Sequence, residues 1–305
     1  MEGNSPNKME SAYARTVETA YARRLVVQLG ANDHTEQCRW PRCHDPVPGL
    51  ISRGWQALLF EPLPWAVAEL RRRHRRSRAV RVHHSAVCAE ASDSGSSTTL
   101  WWLNGSSTLS FGANESDVRC LNKAARYELA SLSRAHVVRH QRLYRYTPYQ
   151  CKICGEQLGR ALPPNCMSRV VEDNLESTSV PCSNFTEALA DYGLDGRLIP
   201  PHLLICDVEG ADERVIAHYF RTVGLPPQVL IYEHTHLLPQ VKARLAAFLR
   251  GFGMRRLANS TDVIAHAEAI DERRLVSFLN VSASPNSANH VWVLGSHAHK
   301  RRHQW

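Results

Sequence analysis

Short apolar runs alternate along the chain with segments of helical periodicity. The first run, residues 24–30, ends at a glycine, the second, residues 57–60, ends at Glu61, and the third covers residues 79–82. A helical pattern follows the second run. Strands that are apolar throughout are typical of a parallel sheet buried on both faces. This alternation predicts right-handed crossovers and a mostly parallel sheet, which places the chain in the α/β class.

The same rhythm returns in the second half of the chain. The predicted strands are Leu203–Asp207, Val229–Glu233 and His290–Leu294, and the predicted helices are Phe185–Tyr192, Asp212–Phe220 and Gln240–Arg250. Gly251 stands where a helix stop is expected.

The middle of the chain departs from this rhythm. Residues 98–103 and 107–111 flank an Asn-Gly pair and predict a hairpin. From about residue 112 to 179 the chain is polar and cysteine-bearing, with one predicted helix over residues 123–140. We interpret this stretch as an insertion in the main domain.

Length and composition predict one large domain. The chain has 305 residues, 43% of them hydrophobic, which suffices for a full core. We expect a polar arm or helix over residues 1–23 and a single domain over residues 24–305. No run of about twenty apolar residues occurs, and the first residues lack the apolar centre of a secretory signal. The expected location is therefore cytoplasmic, without a membrane span.

The basic charge is concentrated after a predicted helix. The formal net charge is +8, and the densest basic run covers residues 71–78, directly after the helical stretch 65–70. Nucleic-acid-binding proteins usually add interleaved aromatic residues or a known module. We favour a solvated helix end over a nucleic-acid interface.

Residues at the ends of the first two strands fit a nucleoside. Ligands of open α/β sheets bind beyond the carboxyl ends of the strands. The segment Gly30-Ala31-Asn32 lets the backbone pass close to a bound group, and Glu61 can accept hydrogen bonds from ribose hydroxyls. Two alternatives stay open, in which Gly30 is only a turn residue and Glu61 only an acid at a helix N-terminus. The extra loop required between the two strands is predicted at residues 34–49.

Five short motifs then occur in a characteristic order. They are Val27-Gln-Leu-Gly-Ala-Asn32, Phe60-Glu-Pro62, Ala86-Val87, Ile205-Cys-Asp-Val-Glu-Gly-Ala211 and a later strand that ends in Glu233. In this order the chain resembles the FkbM family of S-adenosyl-L-methionine-dependent methyltransferases, over about residues 24 to 234. The resemblance implies a Rossmann-like class I methyltransferase fold: a mostly parallel seven-stranded sheet, helices on both faces and a cysteine-bearing insertion.

The resemblance also implies a cofactor site. Its residues are Gln28, Gly30, Ala31, Asn32, Glu61, Pro62, Ser85 and Ala86. In the family the glycine loop lines the methionine and ribose, the acid binds the ribose hydroxyls, and the residues after the third strand lie near the adenine. Gln28 departs from the pattern, because the family often has aspartate there and an amide offers no charge attraction to a ligand ammonium. We expect weaker cofactor binding unless a neighbouring acid compensates.

Carboxylates and a histidine follow the two later strands. Methyl transfer to an alcohol needs a positioned group that takes the hydroxyl proton. By the resemblance, Asp207 and Glu209 line the active site, with Glu233 and His234 beside them. We expect Asp207 or His234 to accept the proton, and Glu209 and Glu233 to orient the substrate or the cofactor ammonium. In the alternative interpretation Glu209 belongs to a segment that only caps the next helix.

Metal binding is a second possibility in two places. Carboxylates and imidazoles at the spacing above can ligate a divalent cation, which would acidify the acceptor hydroxyl. A structural zinc could be held by Cys151, Cys154, Cys166 and Cys182. A zinc ribbon has a second CxxC pair, which is missing, so zinc, disulfides and free thiols all stay open for these four. Cys88 and Cys206 are interpreted as small core residues.

The expected activity is methylation of a hydroxyl on a small molecule or glycan. One alternative is a nucleic-acid methyltransferase that uses the basic helix end, although no Asn-Pro-Pro-Tyr type motif occurs. The other is a protein that binds S-adenosyl-L-methionine without catalysis, for which Gln28 is the only indication.

Overall fold

The computed structural model describes part of the chain. The described residues are 24–32, 47–88, 96–103, 130–143, 152, 155–156, 159–163, 175–190, 192, 198–234, 237–256 and 289–294. The chain divides into two compact units, of which the first comprises Met1–Ser96, Cys182–Asp207 and Asp212–Trp305, and the second Ser97–Pro181 and Val208–Ala211. The predicted domain over residues 24–305 and the insertion over residues 112–179 stay predictions.

Strands and helices alternate in the order expected of an α/β protein. The strands are β1 (Leu25–Leu29), β2 (Gln56–Glu61), β3 (Val80–His84), β4 (Ala86–Val87), β5 (Ser97–Leu103), β6 (Leu175–Ser183), β7 (Leu203–Cys206), β8 (Val229–Glu233), β9 (Met254–Arg256) and β10 (Asn289–Leu294). The helices are α1 (Val47–Ser52), α2 (Pro64–His74), α3 (Arg134–Leu143), α4 (Phe185–Ala190), α5 (Asp212–Val223) and α6 (Pro239–Gly251).

The first unit is built on a central sheet with the strand order β3-β2-β1-β7-β8-β10-β9. The first five strands in this order are parallel, and β10 runs antiparallel to both of its neighbours. The predicted α/β fold with a mostly parallel sheet is therefore confirmed. The strand order reverses at β1, and a reversal of this kind opens a crevice at the carboxyl ends of the strands.

Apolar side chains fix the sheet and its helices. One face of the sheet buries Val26, Leu59 and Ile205 in a cluster with Leu50 of α1. The buried residues of α5 recur at helical spacing, and Tyr219 is among the largest fully buried side chains. Helices α2 and α6 both begin with proline, whose fixed φ suits the first helical turn.

Several elements differ from the predictions. Helix α1 occupies the end of the loop predicted at residues 34–49, because Val47 and Leu50 supply a buried helical face. Helix α3 begins at Arg134, so the predicted helical content of residues 131–133 is wrong. The N–H of His136 bonds Ser133 Oγ at 3.2 Å, a serine cap that starts the helix there. Residues 104–129 lie outside the described part of the chain.

Strands β5 and β6 form the main ladder of the second unit. They pair antiparallel from Ser97 with Pro181 to Leu103 with Leu175. Strand β6 was not predicted, since most of its side chains are polar and only Val180 and Cys182 are buried. The predicted second arm of the hairpin, residues 107–111, lies outside the described residues.

A disulfide joins Cys88 to Cys182 in the first unit. Two predictions about these residues are therefore wrong: Cys182 has no thiolate to offer a zinc ion, and Cys88 is not a plain core residue. Spacing could not reveal the bond, because 94 residues separate the partners. Cys151, Cys154 and Cys166 lie outside the described residues, whereas Cys206 is buried and free, as expected.

Helix length and polarity bear on the membrane question. Within the described residues, no helix is both long enough and apolar enough to cross a bilayer.

Replacing Cys182 with serine is expected to lower the free energy of unfolding by about 2–4 kcal/mol, because the bond closes a long loop in the unfolded chain. Urea unfolding without reductant measures this difference. Adding reductant should bring the wild type close to the variant and leave the variant unchanged. Equal unfolding midpoints without reductant would contradict the disulfide.

Candidate ligand site at the carboxyl edge of the sheet

One row of residues crosses the carboxyl edge of the sheet in the first unit. Leu29 lies opposite Phe60 on one side and Cys206 on the other, and Cys206 lies opposite Tyr232. The next residues along these strands, with the pair Glu61 and His84, form a row: His84, Glu61, Gly30, Asp207 and Glu233. We call this set the edge row. By this register Gly30, Glu61 and Asp207 lie on one edge of the sheet.

Gly30 lies at the centre of the edge row and cannot carry a side chain. Its φ is +75°, and a Cβ atom there would overlap the carbonyl oxygen of Asp207. The N–H of Asp207 donates to the carbonyl of Leu29 at 3.1 Å, which draws the end of β7 against β1. Gly30 therefore brings no side chain to the row between Glu61 and Asp207, which lie on strands about 10 Å apart.

Glu61 holds the backbone on both sides of the strand end. Its Oε2 accepts the N–H of Asn32 at 2.7 Å, and its Oε1 accepts the N–H of Leu63 at 2.8 Å. Asn32 has a φ of +53°, so the carboxylate stabilises a left-handed turn after β1. Leu63 is the cap residue of α2, which agrees with the alternative of an acid at a helix start.

Gln28 lies beneath the edge row. It is 5% exposed, and it lies opposite Leu59 and Ile205 in the sheet. Because side chains alternate along a strand, Gln28 points to the same face as Glu61 and Asp207. Gln28 is the polar residue of β1, and its side chain lies on the same face of the sheet as those of the edge row.

The segment after β3 is tied to the end of β6. Ser183 Oγ donates to Ser85 Oγ at 2.7 Å, and Ala86 pairs with Cys182. Ser85 and Ala86 are both buried. The disulfide of Cys88 closes the same connection. Ser85 and Ala86, the two residues that follow β3, are therefore held in place, and both have small side chains.

Two further cofactor candidates flank the edge row. Ala31 is 1% exposed, and its N–H donates to the carbonyl of Phe60 at 3.1 Å. Pro62 is half-buried, and its carbonyl lies 3.2 Å from Nε2 of His84, which donates in the corresponding tautomer. Both residues shape the backbone around the row.

The later strands bring two carboxylates together. Asp207 follows β7 and is exposed, whereas Glu233 ends β8 and is half-buried. Each has a carboxylate oxygen within 4.8 Å of the other. His234 comes directly after Glu233. Two carboxylates at this distance attract a cation or orient a hydroxyl.

Cys206 takes no part in such chemistry. Burial raises the pKa of its thiol well above the usual value, and the carboxylates of Asp212 and Asp207 raise it further. The thiol therefore stays protonated, which makes it neither a nucleophile nor a metal ligand.

Glu209 belongs to the second unit, in the turn Val208–Ala211. Its carbonyl accepts a hydrogen bond from Ser131 Oγ at 2.8 Å. Its Oε2 lies 3.2 Å from Nε2 of His136. Ser131 and His136 were not predicted, because no spacing or motif links them to a residue more than seventy positions away.

No protein-family model, curated protein or solved structure matches this chain. The resemblance to FkbM methyltransferases therefore depends on the motifs alone.

Replacing Gly30 with alanine is expected to destabilise the protein by about 3–4 kcal/mol, because the new Cβ meets backbone that cannot move aside. Gly54 is the matched control: its φ is +83°, but no atom lies within 4 Å of the position that a Cβ would take. Gly54→Ala should cost only the conformational penalty of about 1–2 kcal/mol. Equal losses in urea unfolding would contradict the close approach of Gly30 and Asp207.

Proposed function

We propose that the chain is an S-adenosyl-L-methionine-dependent O-methyltransferase of the FkbM type, which methylates a hydroxyl of a small molecule or glycan. The observation that carries the proposal is the edge row. In this row the acid Glu61 lies on one side of Gly30, and the carboxylates of Asp207 and Glu233 lie on the other. The family motifs supply four of its five residues.

The sheet supports a nucleotide-type ligand. Its first five strands follow the doubly wound order of nucleotide-binding folds, and the edge row lies where that order reverses. Within this proposal, antiparallel β10 completes a seven-stranded class I methyltransferase sheet. Ligands of such sheets bind at the reversal.

The residues of the row fit the proposed cofactor. Glu61 is the acid that would accept the ribose hydroxyls, and Gly30, which has no Cβ, lets the ends of β1 and β7 approach closely in the row. Ser85 and Ala86 offer a small surface of the kind that accommodates a flat base. Gln28 provides no charge for the ligand ammonium, and Glu233 at the end of β8 is an acid that could supply it.

The chemistry assigns a task to each acid of the later strands. When bound, the cofactor supplies a methyl group on a positively charged sulfur, which leaves as a neutral thioether. The acceptor oxygen forms the new bond to carbon, and its proton passes to a base of the protein. Asp207 and His234 are the candidates for that base. Glu233 and Glu209 would orient the acceptor or the ammonium.

Nucleic acid is the less favoured acceptor. Arg72 and Arg73 both pair with Glu69, at 2.6 and 2.8 Å, so part of the basic helix end is neutralised within the helix. The hydrogen bond from Arg72 lowers the pKa of Glu69 to about 2, with both arginine charges contributing. Glu69 therefore stays ionised at neutral pH and weakens the attraction for phosphates.

Isothermal titration with S-adenosyl-L-methionine and its demethylated product tests the cofactor. The wild type should bind both, and Glu61→Gln should bind about 10–100-fold more weakly, because an amide replaces a charged acceptor. Glu69→Gln is the matched control and should bind like the wild type. No binding by the wild type would refute the proposal, and equal affinity of Glu61→Gln would remove Glu61 from the site.

A labelled-methyl screen over glycans and small alcohols tests catalysis. Asp207→Asn should lower kcat by about 10²–10⁴-fold if Asp207 is the base, with cofactor affinity nearly unchanged. A wild type that binds the cofactor yet methylates no hydroxyl would favour a non-catalytic protein. Activity that survives exhaustive chelation would exclude an essential, accessible divalent cation.

A further inference from the structure

We infer that His136 is a positioning residue for Glu209, and that residues 131–136 of the second unit hold the turn Val208–Ala211 in the conformation used for methyl transfer. The inference rests on the proposed function, since it concerns the orientation of a carboxylate assigned to the acceptor or the cofactor ammonium. Neither Ser131 nor His136 belongs to a motif of the family.

The turn has an unusual backbone. Glu209 has a φ of +50° and Gly210 a φ of +90°, both in the left-handed region. Glycine adopts this region freely, whereas a glutamate does so at a cost. Such a residue persists where its surroundings hold it, and such positions are common at functional sites.

Two hydrogen bonds hold Glu209. Ser131 Oγ donates to its carbonyl at 2.8 Å, and Nε2 of His136 lies 3.2 Å from its Oε2, so the backbone and the side chain are both fixed. The side chains of His136 and Glu209 are 14% and 19% exposed, which protects their contact from water. With Nε2 protonated, His136 donates to the carboxylate.

The serine that holds the carbonyl is itself anchored. Ser131 and Trp101 exchange two backbone hydrogen bonds, at 2.8 and 2.9 Å. Ser131 Oγ also accepts the N–H of Ser133, and Ser133 caps the helix that carries His136. Ser131 and His136 therefore belong to one hydrogen-bonded segment, residues 131–136, which Ser131 anchors to Trp101 of β5.

Gly210 makes room for the imidazole. A Cβ atom at this position would lie 2.5 Å from Nδ1 of His136 and 2.9 Å from its Cε1. The ring packs directly against the glycine, so any side chain there would displace it from Glu209. This contact gives the glycine of the Asp-Val-Glu-Gly block a packing role in addition to its turn conformation.

His136 acts through Glu209 in this arrangement. The donor N–H fixes the direction of the carboxylate, and a displacement of about 1 Å in a reacting group can lower a rate by on the order of 10²-fold. Loss of the donor should therefore reduce turnover more than cofactor affinity. A side chain that restores a donor should restore the rate.

Steady-state kinetics of His136→Ala and His136→Gln test the role. His136→Ala should lower kcat by on the order of 10²-fold, with little change in KM for the cofactor, and His136→Gln should recover most of the loss. His218→Gln, on α5, is the matched control and should behave like the wild type. A wild-type kcat in His136→Ala would overturn the inference, as would a glutamine variant no better than alanine, which would indicate that the imidazole itself takes the proton.

A second readout does not depend on turnover. Nitrogen chemical shifts of labelled, neutral His136 should report the Nε2–H tautomer, and Glu209→Gln should shift the Nε2 signal. The Nδ1–H tautomer would overturn the inference even in an active enzyme. If the wild type binds no cofactor, the proposed function fails while this measurement still decides whether His136 holds Glu209. Should His136→Ala fail to fold, Ser131→Ala removes the other bond to Glu209 and should also lower kcat.

Discussion

The close approach of Gly30 to the backbone of Asp207 is the constraint on which the candidate site depends. A hydrogen bond from Asp207 to Leu29 draws the two strand ends together, and only a residue without Cβ tolerates that distance. Because of the same absence, only backbone separates Glu61 from Asp207 in the edge row. One backbone requirement thus accounts both for the packing of β1 on β7 and for the missing side chain between these two acids.

Within the proposed function, Glu61 is the residue next to Gly30 in the edge row that would contact the ligand. A buried carboxylate is costly unless it is hydrogen-bonded, and the N–H groups of Asn32 and Leu63 meet that need. The two bonds hold the turn after β1 and the start of α2 in place before any ligand arrives. A ligand hydroxyl would therefore meet an acceptor whose position is already fixed, which lowers the cost of binding.

The sequence predicted best where a residue's environment follows from its own strand. The apolar runs of β1, β2, β7 and β8 are buried on both faces, so continuous hydrophobicity identified them and placed the carboxylates at their ends. Strand β6 escaped prediction because most of its residues are polar, and its buried positions Val180 and Cys182 are too few to identify a strand. The disulfide and the contact of His136 with Glu209 join residues 94 and 73 positions apart, and no local pattern encodes such pairs.

The turn Val208–Ala211 is held by contacts between residues that are far apart in the sequence. It belongs to the second unit, although the residues on both sides of it, Asp207 and Asp212, belong to the first. Glu209 adopts its left-handed backbone at a cost, while Ser131 holds its carbonyl and His136 holds its carboxylate. A change in the segment 131–136 is therefore transmitted to Glu209 within the second unit. If Glu209 orients a reactant, as proposed, the direction of this acid depends on residues that no motif of the family contains.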